Sequence, residues 1–151
     1  MKKILVFMLV PAFILGCVQS PSEGPTSVVP SDEKAIPTLH TAENSLDWEG
    51  IYEGIFPCAD CEGINVRLIL NYDHTYILEE SYIENGSVVR TQEYEGSFHF
   101  DETNPAHIRL DSNADQRVFF IGENFAQARD RETGEPLSEV STYILNKISE
   151  Q

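Results

Sequence analysis

Ile64, Val66, Leu68 and Leu70 alternate with Asn65, Arg67 and Asn71, a period of two that belongs to a strand with one buried face. The same patterning starts earlier, from Trp48 to Phe56, and resumes at Thr75 to Ile83 after the turn residues Asn71, Tyr72, Asp73 and His74. Asn85-Gly86 is the sharpest turn signal in the chain. A two-residue type I′ loop needs positive φ at both central positions, and Asn-Gly tolerates that best. Val88 to Phe100 then reads as a long fourth strand, with Gly96 as a bulge or bend. Further strands are predicted at Ala106 to Leu110, Gln116 to Ile121, Asn124 to Arg129 and Thr142 to Ile148. With no convincing helix among them, the pattern predicts an all-β fold: a small antiparallel meander barrel of about eight strands, lipocalin-like in form. Such a barrel is filled by side chains or holds one small ligand. Tyr52, Phe56, Tyr76, Tyr82, Tyr94, Phe98 and Phe120 are the residues to fill a core or line a pocket.

The N-terminus places this domain outside the cytosol. Lys2 and Lys3 precede an apolar run from Ile4 to Leu15, and Gly16 stands before Cys17, the layout of a bacterial export signal. A run of about a dozen apolar residues is too short for a bilayer core that needs roughly 20. Ile14-Leu15-Gly16-Cys17 resembles a lipobox. That implies cleavage before Cys17 and acylation of its thiol. By resemblance to lipoproteins of two-membrane bacteria, Val18 after the cysteine favours the outer membrane, with the protein facing the periplasm. Residues 1–16 are then the signal peptide and 17–45 the lipidated end and a linker. Four prolines (Pro21, Pro25, Pro30 and Pro37) sit there among Ser, Thr, Glu and Gly, too little apolar surface to pack. As a flexible coil the linker reaches roughly 30 Å. Residues 46–151 form one domain.

Charge narrows the partners. Of ten basic residues, Lys2 and Lys3 leave with the signal, against 25 acidic ones. Nucleic acid is excluded, because phosphate backbones are held by clustered Lys and Arg. Anionic headgroups are repelled too, so the membrane is reached through the lipid anchor. No H-E-x-x-H, G-x-S-x-G, P-loop or dinucleotide fingerprint appears, and nothing indicates an enzyme.

With Cys17 consumed by lipid, Cys58 and Cys61 are the remaining thiols. Three readings of this C-x-x-C pair stand side by side. As a structural disulfide in an oxidising compartment it closes a small loop, worth about 2 kcal/mol. As a metal site its two sulfurs suit copper(I), a soft ion. As a thiol-disulfide exchanger it lacks the helix N-terminus that activates one. Asp60 and Glu62 raise the thiol pKa by like-charge repulsion, which opposes the thiolate that the second and third readings need. His40, His74, His99 and His107 show none of the regular spacing of a metal site and read as solvated or turn residues.

Trp48-Glu49-Gly50-Ile51-Tyr52-Glu53-Gly54, Pro57-Cys58-Ala59-Asp60-Cys61-Glu62-Gly63-Ile64, Leu68-Ile69-Leu70 and Tyr76 together resemble the N-terminal domain of the NlpE family of envelope-stress and copper-resistance lipoproteins. The resemblance implies an outer-membrane lipoprotein with a lipocalin-like barrel. It also implies a part in copper tolerance and in reporting surface contact or faulty lipoprotein traffic to the Cpx stress pathway, with an envelope stress sensor as partner. Longer family members carry a second, OB-like domain with further cysteines; the match here is to the barrel. The alternative is a lipoprotein that binds copper(I) at Cys58 and Cys61, or a small apolar ligand in the barrel, with no signalling role.

Overall fold

The computed structural model describes residues 41–138 and 142–148. The expected signal, Cys17, His40 and most of the expected linker lie outside the described residues. Eight strands follow one another around a closed antiparallel barrel, each bonded to its neighbours in chain order. They are β1 (Gly50–Phe56), β2 (Gly63–Leu70), β3 (Thr75–Glu84), β4 (Ser87–Phe100), β5 (His107–Leu110), β6 (Val118–Gly122), β7 (Phe125–Arg129) and β8 (Ile144–Ile148). β8 closes the barrel on β1 through Ile51↔Ile148 to Glu53↔Asn146.

The period-two signal is spent as expected, with one set of alternate residues inward. Val66, Leu68 and Leu70 of β2 and Tyr76 and Leu78 of β3 are buried, and Tyr52, Ile108, Phe119, Ile121 and Leu145 meet them across the interior. Asn85 and Gly86 both take positive φ (50° and 69°) in the β3–β4 turn, as a type I′ loop requires.

Among the described residues two small helical pieces interrupt the all-β pattern. Residues 42–45, inside the stretch expected to be linker, form a helical turn, α1 (Ala42–Ser45). Trp48 Nε1 donates to Glu43 O at 2.9 Å, and Ala42 is buried, so the turn packs on the barrel. The second piece is a 3₁₀ turn at Ser112–Ala114 between β5 and β6.

Trp48 organises the end of the barrel where β1 begins. It stacks on Tyr72 with ring centroids 5.9 Å apart and meets Phe98 and Phe100 edge-on. Tyr52 donates its phenol to Trp48 O at 2.6 Å, and burial, helped by Asp47, pushes that phenol up to about 12.

Gly96 corrects one expectation: the β3–β4 register runs through it unbroken, and the shift falls between Tyr82 and Ile83, where Val89 is the extra residue. Gly96 is needed for another reason. A Cβ there would lie 2.2 Å from Asp111 Oδ2. That carboxylate accepts from Ser97 N–H at 3.0 Å, Tyr76 Oη at 2.8 Å and Asn113 N–H at 3.0 Å, tying β3, β4 and the 3₁₀ turn together. Phe120 corrects another: it lies on the outer face of β6, edge-on to His107 and under the Arg129 guanidinium, and not within the core.

Candidate functional site

The end of the barrel opposite Trp48 carries the features that packing alone does not account for. β1 leaves it at Phe56, the segment 57–62 crosses it, and β2 re-enters at Gly63. Cys58 and Cys61 are joined by a disulfide with their Cα atoms 5.3 Å apart. Glu62 fastens this segment to the neighbouring hairpin. Its N–H donates to Ile83 O at 2.9 Å, and its carboxylate accepts from Gly86 N–H at 3.0 Å. The loop and the Asn85-Gly86 turn are therefore one tied unit on the rim.

Just inside the rim the interior turns polar. Glu80 follows Tyr76 and Leu78 on the inward phase of β3, and its side chain is only 8% exposed. Both its oxygens accept from the Arg117 guanidinium, one of them at 3.1 Å. Burial alone would lower the Arg117 pKa; the bond to Glu80 together with the charges of Glu80, Tyr94 and Asp115 outweighs it, and the pKa is raised. Arg117 also lies 5.3 Å from the centroid of Tyr94. Beside the pair opens a cleft of about 290 Å³ with Phe56, Phe119 and Tyr143 among its walls. Neither Glu80 nor Arg117 was named as a candidate from the sequence. The signal was available for Glu80, a carboxylate on the buried phase of a strand.

Among the described residues, His74, His99 and His107 do not converge. His74 lies at the Trp48 end with Nε2 3.4 Å from Glu43 Oε1, and His99 is exposed on β4. His107 departs from the expectation of a solvated residue: it is buried beside Phe120 and Gly134. Burial, then the Arg129 charge, pulls its pKa down. Among the described residues no group of three His, Cys, Asp or Glu side chains is placed to hold a metal.

The donor set around Cys58 and Cys61 does not fit copper(I) in this state. The sulfurs are bonded to each other and offer no thiolate, and the side chains beside them, Asp60, Glu62, Glu84 and Asn85, present hard oxygen donors.

Comparison with known proteins places the chain. The family model described as NlpE N-terminal domain matches residues 52–139, more than half of the sequence. The chain belongs to the NlpE N-terminal domain family. Lipoprotein NlpE of Escherichia coli K12 is 28% identical over 94 residues, which cover 62% of this chain and 39% of that protein. The chain thus spans well under half the length of that relative.

Two solved structures share the fold. A protein from Shewanella oneidensis described as a lipoprotein is 34% identical, with a TM-score of 0.61 over 71% of this chain and 94% of its own. The crystal structure of the Cpx pathway activator NlpE from Escherichia coli is 25% identical, with a TM-score of 0.50 over 68% of this chain and 52% of its own. The NlpE match spans β1 from Tyr52 through β7, so it contains the disulfide segment and both Glu80 and Arg117.

Proposed function

We propose that this chain is an outer-membrane lipoprotein whose barrel acts as a non-catalytic adaptor, reporting the state of the envelope to a membrane stress sensor. The observation that carries the proposal is its likeness to the Cpx pathway activator NlpE. In this reading Cys17 is acylated and holds the protein to the membrane, the following linker lets the barrel stand off the surface, and the barrel supplies contact surface. The disulfide end suits that work: Ile55, Val88 and Val89 expose 66%, 59% and 55% of their surface there. Large apolar side chains left in water on a rim are characteristic of contact sites. The protein works through binding, and copper tolerance enters as an outcome of the stress response. Bridged, Cys58 and Cys61 serve to pin the rim.

The test is overproduction of the lipidated protein beside a Cys17→Ser form, reading transcription of envelope-stress genes. The proposal expects the lipidated protein to raise it and the serine form to do so far less. No response at any expression level would overturn the adaptor role, and an intact-mass measurement lacking acyl chains on Cys17 would overturn the anchor.

A further inference from the structure

β4 is fourteen residues long, yet it pairs with β5 only through Phe98, His99 and Phe100. From Ser87 to Ser97 its other side holds the β3 ladder alone, and among the described residues no strand pairs with the side away from β3. The direction of the backbone groups follows from printed bonds. Ser97 N–H donates to Asp111, Ser97 O accepts from Asp111 N–H, and Glu95 O accepts from Asn113 Nδ2 at 2.9 Å, all on the β5 side. Because residues of one parity point their N–H and C=O to the same side of an antiparallel strand, Thr91 and Glu93 direct theirs outward. Both residues are exposed.

The charges along this edge select what can join it. Glu53, Arg67, Glu79 and Glu93 lie in register across four successive strands. Arg67 bonds Glu53 at 3.2 Å, which leaves Glu79 and Glu93 directly opposite each other, an arrangement of like charges that weakens a sheet. The row ends in an uncompensated carboxylate at the free edge, and Glu95 adds another two residues along the same face. A cation on the next strand would complete the row.

We infer that the free edge of β4, from Val89 to Glu93, receives an extended basic peptide segment of a partner protein, added antiparallel with alternate Lys or Arg residues facing Glu93 and Glu95. Main-chain bonds to Thr91 and Glu93 supply register. A second copy of this chain is the wrong partner. Its own β4 would bring Glu93 and Glu95 against carboxylates, its Arg90 is engaged over the Tyr82 ring at 3.9 Å, and the chain carries a net charge of −15. The bulge at Val89 and the edge charges guard against indiscriminate pairing, while leaving a basic strand welcome. This inference rests on the sheet topology and stands apart from the adaptor reading.

The test uses the purified full chain and a capped octapeptide of alternating Lys and Val at low ionic strength, with affinity and amide hydrogen exchange as readouts. In antiparallel addition the residues opposite Glu93 point both their side chains to its face and their N–H groups to its edge. N-methylation of the lysines should therefore weaken binding roughly tenfold or more, whereas N-methylation of the valines should leave it unchanged. The unmodified peptide should slow exchange at Thr91 and Glu93. A Glu93→Lys, Glu95→Lys variant should prefer an alternating Glu and Val peptide instead. Equal binding of the two methylated peptides, any other order among the three, unchanged exchange at Thr91 and Glu93, or dimerisation of the chain through this edge would each overturn the inference.

Discussion

The two ends of the barrel are built on opposite terms. Around Trp48 the interior is apolar and closed: Tyr76, Phe98 and Leu110 are buried, Phe100 packs against them, and α1 covers the indole. At the disulfide end the inward positions hold Glu80 and Arg117, the rim exposes Ile55, Val88 and Val89, and among the described residues β4 runs on without a second neighbour. One sequence period makes both, so the contrast arises from what fills the inward positions and from where neighbouring strands stop. Buried aromatic packing gathers where β1 begins, and exposed apolar side chains lie where it ends.

The largest effect should come from emptying the closed end. Trp48→Ala removes an indole packed against Tyr72, Phe98 and Phe100 and should lower the urea unfolding free energy by about 3–5 kcal/mol; a loss comparable to that of a surface substitution would dissolve the distinction between the ends. Glu80→Ala strands a partly buried guanidinium, and should cost about 2–3 kcal/mol, less than a fully buried pair because Arg117 keeps some contact with water. The double variant Glu80→Leu, Arg117→Met removes both charges and should recover most of that loss, which a double-mutant cycle would read directly.

Cys58→Ser with Cys61→Ser should cost no more than about 2 kcal/mol, because the bridge closes so short a loop. Reductant should then reproduce the variant's melting temperature in the parent protein.

The smallest expected effect concerns acid. Ser97 N–H, followed by the Tyr76 phenol and Asn113 N–H, holds the Asp111 pKa below its ordinary 3.8. A depressed folded value means that the carboxylate's stabilisation is complete above 3.8 and lost as pH falls through the folded pKa. Asp111→Asn should flatten that part of the stability–pH curve, and an unaltered curve would show that the tie between β3, β4 and the 3₁₀ turn carries no weight.

Much of the barrel is legible in the sequence because alternation is a local signal. The spans of β2, β3 and β4 and the Asn85-Gly86 turn are read within a residue or two of where they lie. What depends on closure is not. The register shift beside Val89 leaves no local mark, so Gly96 drew the expectation of a bulge when its role is to admit the Asp111 carboxylate. Glu80 and Arg117 stand 37 residues apart and meet only once the barrel closes. Phe120 is an aromatic residue within a strand, yet it takes the outward phase between Phe119 and Ile121, where its ring meets His107, Phe125 and the Arg129 guanidinium. At the disulfide loop the sequence leaves structural, metal and redox readings standing, and the structure joins the two sulfurs to each other.

Native-state amide exchange on the full chain in the absence of any partner tests the contrast between the ends most directly. The account predicts that Phe98 and Leu110, whose N–H groups donate to His74 O and Arg117 O, exchange only through global unfolding, while Thr91 and Glu93, with their N–H groups directed away from β3, exchange within the native state. Protection of Thr91 and Glu93 as strong as that of Phe98 would contradict it.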